Sequence, residues 1–303
     1  MFSDAHCDTI SRILDKKQEL YENDGHVDAI RLKASGSLVQ FYAAWIDPSY
    51  YSEGRLIRCL EIIDKFYTET EKCNIPVIKT AEDVTGGGAL LSIEGGEALC
   101  GRISVLRMLY RLGVRAITLT WNGRNELAEG VGEGDTASGL SSFGRRAVCE
   151  MNALGMIVDV SHLAPKGFWD VAECSTLPFI ASHSNAKAIC PHRRNLTDEQ
   201  ITEIIRRKGF IGINFCASFL SEGGANITDI IRHIEHIMSL GGGGVLGFGA
   251  DFDGVDDLPE GINGVEDMPK VINELGRLNY SQSQINAILY GNLHRAVKLI
   301  LKK

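Results

Sequence analysis

The chain has 303 residues, of which 44% are apolar and 23% are charged, and its formal net charge is −8. This composition is ordinary for a soluble globular protein. The acidic balance argues against nucleic acid or an anionic membrane as the main partner, because both attract basic surfaces. The sequence shows neither a recognisable signal peptide nor an apolar run of about 18 residues, so we predict a cytoplasmic protein without a membrane span.

Short apolar runs alternate with helical patterns along almost the whole chain, which predicts βαβ units and a parallel sheet. Several runs are rich in β-branched residues and lack polar alternation, as expected of strands buried on both faces. No linker divides the chain, and eight strands are what a closed barrel requires, so we predict one (β/α)8 TIM-barrel domain over residues 1–303. The predicted strands are Phe2–Asp8, Leu38–Ala44, Ala89–Glu94, Ala116–Thr120, Met156–His162, Phe179–His183, Phe210–Phe215 and Val245–Asp251.

Helices are predicted between these strands. Leu56, Leu60, Ile63 and Phe66 recur near the helical period of 3.6, which indicates a helix over Arg55–Thr70. The other predicted elements are Arg145–Leu154 capped by Gly155, Asp198–Lys208 after the capping-box pair Thr197 and Gln200, and one or two closing helices within Ser281–Lys303.

The eight cysteines are scattered along the chain without a CxxC pair. In a chain of this length the pattern indicates reduced core thiols of a cytosolic protein, and a secreted disulfide-bonded protein is the alternative. The cysteines are Cys7, Cys59, Cys73, Cys100, Cys149, Cys174, Cys190 and Cys216.

Ionisable residues stand at the C-terminal ends of several predicted strands, which form the active-site face of such a barrel. His6 and Asp8 are two residues apart, so in a strand they point to the same side. An imidazole nitrogen and a carboxylate oxygen together suit zinc or a similar divalent ion. Glu94 ends an apolar strand before Gly95 and Gly96, and its two oxygens allow it to bridge two metals.

Three later strands end in the same way. Two finish in Ser-His, which supplies His162 and His183, and the last ends at Asp251, with Asp253 two residues further on. Asp251 is interpreted as a metal ligand or proton shuttle, and Asp253 as part of an Asx turn. Two divalent ions roughly 3.5–4 Å apart, bridged by a carboxylate and a hydroxide, would use the whole set: His6, Asp8, Glu94, His162, His183 and Asp251. The other histidines are interpreted as surface residues: His26, His192, His233, His236 and His294.

Each pattern alone also has an ordinary explanation. His6 beside Asp8 fits a surface histidine next to a capping aspartate, and Glu94 fits a strand end that reaches water. A histidine at a strand end fits a hydrogen-bonded core residue. The recurrence of these residue types at five strand ends is what favours a metal site.

Six segments resemble signature segments of the membrane (renal) dipeptidase family: DAHCDT, SIEGGEAL, LYRLGVRAITLT, VDVSH, ASHSNAKAICPHRRNLTDEQ and GFGADFDG. They occur in order from residue 4 to residue 254. The resemblance implies a bacterial-type member of the metal-dependent amidohydrolase-like group, with two divalent metal ions, zinc by expectation. It assigns His6, Asp8 and Glu94 to one ion, and Glu94, His162 and His183 to the other.

The resemblance also assigns substrate contacts. Arg194 matches the position that binds the C-terminal carboxylate of the substrate, for which a guanidinium fork is suited. Mammalian members carry a substrate-contacting histidine after the Thr-Leu-Thr segment, where this chain has Trp121. An indole offers one N–H donor and no positive charge, so Trp121, Asn122 or Asn125 takes over this contact or simply packs. The secretion and lipid-anchor signals of the mammalian enzymes are not seen here.

The resemblance therefore implies a zinc-dependent dipeptidase acting through a metal-bridging hydroxide, with Glu94 and Asp251 as catalytic residues and L-D dipeptides among the candidate substrates. A lactonase or phosphotriesterase-like hydrolase is one alternative, although the fourth strand lacks the lysine that bridges the metals of those enzymes. A metal-binding barrel with impaired catalysis is the other. The expected partners are dipeptides, with neither nucleic acid nor a membrane, and a homodimer is left open.

Overall fold

The computed structural model describes residues 1–48, 52–134, 136–278 and 280–303. Within these ranges, parallel strands pair in chain order and β8 pairs with β1, which closes the sheet into a barrel. The predicted (β/α)8 TIM barrel is confirmed. Its strands are β1 (Phe2–Asp4), β2 (Ser37–Trp45), β3 (Gly88–Glu94), β4 (Ala116–Thr118), β5 (Ile157–Asp159), β6 (Ile180–Ala181), β7 (Phe210–Ile213) and β8 (Leu246–Phe248).

Helices follow the strands and cover the outside of the barrel. The α-helices of the described residues are α1 (Thr9–Lys16), α2 (Ala29–Ser35), α3 (Ser52–Lys72), α4 (Ile103–Arg111), α5 (Ser142–Leu154), α6 (Pro165–Cys174), α7 (Asp198–Arg206), α8 (Ala217–Leu220), α9 (Ile227–Ser239), α10 (Met268–Arg277), α11 (Gln282–Asn286) and α12 (Asn292–Ile300). Short 3-10 turns lie at Asp83–Thr85, Gly96–Leu99, Val131–Glu133, Gly242–Gly244 and Val265–Asp267, and a π-helical turn at Ala287–Gly291 joins α11 to α12.

Local sequence signals account for the helix ends. The capping box at α7 is confirmed, since the Thr197 hydroxyl accepts the Gln200 N–H and the Gln200 side chain accepts the Thr197 N–H. Gly155 follows α5 with φ of 74°, a left-handed conformation that favours glycine. The helix predicted over Arg55–Thr70 lies inside α3, and the two predicted closing helices are α11 and α12.

Most strands end earlier than predicted. The strand predicted as Phe2–Asp8 ends at Asp4, the one predicted as Met156–His162 ends at Asp159, and the last ends at Phe248 rather than Asp251. The reason is that the backbone turns out of the ladder beyond these points; His162 and Asp251 both have φ of 64°. Glu94 ends β3, but five of the predicted site residues lie on loops just beyond their strands: His6, Asp8, His162, His183 and Asp251.

Inside the barrel, side chains along β3 change from apolar to polar. On β3, Leu90, Ser92 and Glu94 are two residues apart and share one face. Leu90 belongs to an apolar cluster at the N-terminal end of the barrel, against which α12 packs, whereas Glu94 is the last strand residue. This gradient closes one end of the barrel with hydrophobic side chains and leaves ionisable groups at the other.

The interpretation of the histidines is wrong for His233, which is fully buried in α9. Its Nδ1 accepts the N–H of Ala186 at 3.1 Å and its Nε2 lies 3.0 Å from the carbonyl oxygen of Leu220, so Nε2 carries the proton. The two bonds tie α9 to α8 and to the loop after β6. The remaining four histidines of that group are partly buried: His26, His192, His236 and His294.

The neutral state of His233 predicts an acid-sensitive stability. Burial lowers the pKa of His233 from 6.5 to about 4. The unfolded chain therefore binds more protons below pH 6.5, and stability falls as the pH drops from 6.5 to about 4, by up to about 3 kcal/mol at 1.36 kcal/mol per pKa unit. Between pH 7 and pH 4.5, urea unfolding should show a larger decrease in the free energy of unfolding for the native protein than for His233→Gln. An equal decrease in the two proteins would contradict this role of His233.

All eight cysteines are free, as predicted. The expectation that they are core thiols is wrong for Cys100 and Cys149, which are exposed. Cys149 lies on α5 between buried Val148 and Met151 but faces outward, because the helix buries only one face. Among the described residues, none of the helices combines the length and apolar character that crossing a membrane requires.

Candidate active site

Six side chains from five strand ends converge at the C-terminal mouth of the barrel. His6 Nε2 lies 3.2 Å from Asp8 Oδ2, 3.7 Å from Glu94 Oε2 and 3.7 Å from Asp251 Oδ1. On the other side of Glu94, Oε1 lies 3.0 Å from His162 Nε2 and 3.5 Å from His183 Nε2. Each of these residues is at most 7% exposed: His6, Asp8, Glu94, His162, His183 and Asp251.

The donor atoms form three overlapping groups, within each of which they lie no more than 4.8 Å from one another. Glu94 belongs to two of them, one with His6 and Asp8, the other with His162 and His183. These are the two sets that the family resemblance implied. The third group is formed by His6, His183 and Asp251.

The residues present fit divalent cations. His183 Nε2 and Asp8 Oδ1 are buried and have no hydrogen-bond partner among the described residues. An unpaired buried polar atom is costly, and cations held by these donor groups would give each atom a partner. Three carboxylates and three imidazoles, with thiols absent from the groups, form the nitrogen and oxygen donor set that zinc and similar ions accept.

The second ring nitrogens of two histidines are held by neighbours. His162 Nδ1 lies 2.9 Å from Asn122 Oδ1, which can only accept, so Nδ1 carries the proton and Nε2 is left with its lone pair. His183 Nδ1 lies 2.7 Å from the Ser182 hydroxyl. Such partners orient a metal-binding imidazole and select its tautomer.

Burial and neighbouring charges shift the pKa values of several ionisable groups in the site. Burial, with Asp8 adding to it, raises the pKa of Glu94 well above its ordinary value. Burial lowers the pKa of His162 and of His183 well below 6.5. Burial alone would also lower the pKa of His6, but Glu94 and Asp8 raise it to about 10. A bound divalent cation favours ionised carboxylates and neutral imidazoles, which opposes the raised pKa of Glu94 and of His6 and agrees with the lowered pKa of His162 and His183.

The side-chain amide of Asn214 orients Asp251 and is itself held by a second hydrogen bond. Asn214 Nδ2 donates to Asp251 Oδ2 at 2.7 Å, while Asn214 Oδ1 accepts the N–H of Cys216. Asp251 Oδ1 thus points toward His6. Gly254 lies directly beside this oxygen and beside Asp8, where a Cβ atom would collide with both carboxylates.

A cavity of about 260 Å³ opens beside the clustered ligands. Arg194 lines it, although this side chain is only 5% exposed. Its Nη2 donates to the carbonyl oxygen of His183 at 3.2 Å, and its guanidinium carbon lies 5.5 Å from the centre of the Phe219 ring. Its Nε has no partner within the described ranges of the chain. Burial lowers the pKa of Arg194, opposed by Asp251 and Glu94. The cavity therefore contains a nearly buried cation with free donor capacity.

Aromatic side chains form another part of the wall. The rings of Trp45 and Trp121 meet edge to face, 5.5 Å apart, and Trp121 lies 6.2 Å from the ring of His162. Asn122, predicted to bind substrate, also lines the cavity, but its side-chain oxygen is already bonded to His162. Asn125 does not line it; its side chain bonds within its own loop.

The Asx turn predicted at Asp253 is wrong. Its carboxylate is 1% exposed and accepts the Thr9 hydroxyl at 2.6 Å and the His26 N–H at 2.7 Å. Both partners are more than 200 positions away in the chain, so local sequence carried no signal for them. Asp253 fastens the loop after β8 to the start of α1 and to the loop before α2.

Several site residues were not predicted from the sequence. Trp45 and Phe219 line the cavity, and three polar residues support the central cluster. A carboxylate or amide inside an apolar strand was the available signal, since such a group is rarely buried without a function. The supporting residues are Asp159, Ser182 and Asn214.

A closed (β/α)8 barrel with imidazoles and carboxylates grouped at its C-terminal mouth has the form of a metal-dependent hydrolase. The sequence model of the membrane dipeptidase family (peptidase family M19) matches residues 1–302. The chain belongs to this family and is a metal-dependent dipeptidase.

Individual relatives agree with this assignment. The chain is 35% identical over 258 residues to an uncharacterised protein of the pqqA 5′ region of Klebsiella pneumoniae, covering 82% of this chain and 90% of that one. The crystal structure of a metallopeptidase from Rhodobacter sphaeroides, liganded with a phosphinate mimic of the dipeptide L-Ala-D-Ala, has a TM-score of 0.93 at 28% identity and covers 99% of both chains. The crystal structure of the M19 metallopeptidase named dipeptidase AC also has a TM-score of 0.93 at 28% identity, covering 100% of this chain and 99% of that one.

Proposed function

We propose that this dipeptidase holds two zinc ions and hydrolyses dipeptides that carry a free C-terminal carboxylate, including those with a D residue in second position. One observation carries the two-ion proposal: the oxygens of Glu94 face different partners, Oε2 toward His6 and Oε1 toward His162 and His183. A carboxylate placed between two donor sets is suited to bridge two cations. The D-residue proposal is supported by the relative that binds a mimic of L-Ala-D-Ala.

The proposed ligands are His6, Asp8 and Glu94 for one ion, and Glu94, His162 and His183 for the other. When bound, such ions lower the pKa of a water molecule to near neutrality and polarise a carbonyl group. The protein supplies neutral imidazoles, because burial lowers the pKa of His162 and His183. It also fixes the Nδ1 proton of His162 through Asn122.

Asp251 is proposed as the general base and then the general acid. Its Oδ1 lies at the edge of the ligand cluster, while Asn214 holds Oδ2 and so fixes the plane of the carboxylate. Burial raises the pKa of Asp251, partly opposed by His6, and a base whose pKa lies closer to neutrality is more effective. Asp251 accepts a proton from the attacking water and delivers it to the leaving amine.

Arg194 is proposed to bind the C-terminal carboxylate of the substrate. Its guanidinium group is buried on the cavity wall, and its Nε has no partner in the part of the chain that the structure describes. A planar fork of donors binds a carboxylate through two parallel hydrogen bonds. The cavity of about 260 Å³ is below the range of roughly 300–1,000 Å³ that is usual for ligand pockets, which favours short substrates.

A comparison of acid and amide substrates tests this proposal. L-Ala-D-Ala, L-Ala-L-Ala and their C-terminal amides would be incubated with zinc-loaded protein, in parallel with a lactone and a phosphotriester. We expect the free acids to be cleaved, with kcat/KM at least about 100-fold above that of the amides, because charge-assisted hydrogen bonds contribute roughly 1.5–3 kcal/mol each.

The variant Arg194→Met provides the control. It should lose the preference, so that the ratio of kcat/KM for acid and amide falls toward one, whatever its absolute activity. Preferential cleavage of the lactone or phosphotriester would contradict the substrate class. An unchanged ratio in the variant would contradict the role of Arg194.

A further inference from the structure

Asp159 is a buried hydrogen-bond acceptor below the ligand cluster, at the end of β5. Its Oδ1 accepts the backbone N–H groups of Ser161 at 3.0 Å and Ser182 at 2.9 Å. Its Oδ2 accepts the hydroxyls of Thr118 at 2.6 Å and Ser182 at 2.5 Å. All four partners donate, so Asp159 acts in this network as an acceptor only.

This arrangement fixes the direction of the Ser182 hydroxyl. A serine hydroxyl has one proton, and at 2.5 Å from Asp159 that proton points to the carboxylate. The Ser182 oxygen therefore presents a lone pair to His183 Nδ1, 2.7 Å away, and Nδ1 must carry the proton of the ring. The neutral imidazole is left with its lone pair on Nε2.

The free Nε2 lone pair lies where a cation ligand is needed. His183 is fully buried, its Nε2 has no hydrogen-bond partner in the described structure, and Glu94 Oε1 is 3.5 Å away. In the other tautomer, Nε2 would direct a proton at this position. We propose that Asp159 and Ser182 are positioning residues which, as a relay, hold His183 in its cation-binding tautomer and raise the affinity of the site for metal.

The proposal rests on the two-ion function above, but it concerns residues that do not face the substrate cavity. Asp159 is 3% exposed and Ser182 is 2% exposed, and both lie outside the cavity wall. They act only through His183. The neighbouring ligand His162 is held differently, by the neutral amide of Asn122, which is partly exposed and lines the cavity.

Metal affinity is the first test, measured by competition between metal-free protein and a chromogenic zinc chelator. Ser182→Ala should bind one of its two zinc ions about 10–100-fold more weakly than the native protein, the usual effect of losing such a partner. The matched control is Ser161→Ala, whose lost hydroxyl accepts the backbone N–H of His183 at 3.1 Å and lies 3.4 Å from the Ser182 hydroxyl, but does not contact the His183 ring. We expect this control to bind zinc like the native protein. Equal weakening in both variants, or no weakening in Ser182→Ala, would overturn the proposal.

Asp159→Asn offers a sharper test because it reverses the relay. The two backbone N–H groups at Oδ1 would keep an oxygen there, so the new amide nitrogen would face Ser182 and donate to it. Ser182 would then donate to Nδ1 of His183 and leave the proton on Nε2. Two-bond ¹H–¹⁵N correlation spectra of the metal-free protein distinguish the tautomers.

We expect the Nδ1–H tautomer of His183 in the native protein and the Nε2–H tautomer in Asp159→Asn. An Nε2–H tautomer in the native protein, or the same tautomer in both, would overturn the relay. This readout needs neither metal nor activity. If the native protein bound fewer than two zinc ions, the two-ion function would fail, and the spectra would still decide the relay.

Discussion

Replacing Glu94 with glutamine is expected to abolish both high-affinity zinc binding and hydrolysis. The amide has one oxygen and no charge. It therefore cannot present one ligand oxygen toward His6 and another toward His162 and His183. We expect kcat/KM to fall by roughly 1,000-fold or more, which corresponds to about 4 kcal/mol at 1.36 kcal/mol per tenfold. The checks are elemental analysis of dialysed protein and initial rates on a dipeptide.

Glu69→Gln is the matched control for losing a buried carboxylate. Glu69 is fully buried on α3, where it pairs with Lys65 and accepts the N–H of Leu20, outside the metal-ligand groups and the cavity wall. This variant should keep its zinc and its rate. A Glu94→Gln protein that retains two zinc ions and native activity would rule out Glu94 as the bridging ligand.

Asp251→Asn is expected to separate catalysis from metal binding. An amide can keep the bond geometry at Asn214 approximately but cannot accept a proton from water. The rate constant kcat should fall by about 10²–10⁴, the usual contribution of general acid–base catalysis, while the zinc content stays at two per chain. Steady-state kinetics and elemental analysis on the same preparation provide the two readouts. Loss of a zinc ion would instead make Asp251 a ligand, as its grouping with His6 and His183 also permits.

The sequence predicted the barrel well because its strands are buried on both faces. The predicted first residues of four strands lie within one residue of the observed ones: β2, β3, β4 and β7. The ends were misplaced because polar residues such as His6 and Asp251 lie just beyond the last paired residue. A period-two pattern does not distinguish a residue in the ladder from one on the loop that follows it.

The six central residues were found from the sequence because their types recur at strand ends. The supporting residues were not, since their roles depend on register between strands. Asp159 pairs with Ile180 across β5 and β6, which places it beside Ser182. Nothing in either segment alone specifies that neighbour.

His233 shows a signal that was present but not used. Ile230, Ile234 and Ile237 are buried on α9, and position 233 lies on the same helical face. A histidine on an apolar stripe is expected to be buried with both nitrogens bonded. Its partners at Ala186 and Leu220 could be found only from the fold.

Titration of zinc into metal-free protein, with dipeptide hydrolysis as the readout, tests the central claim most directly. We predict no cleavage of L-Ala-D-Ala without metal, and activity that rises with added zinc and reaches its maximum at two equivalents per chain. Full activity in the metal-free protein, or no cleavage at any zinc concentration, would contradict it.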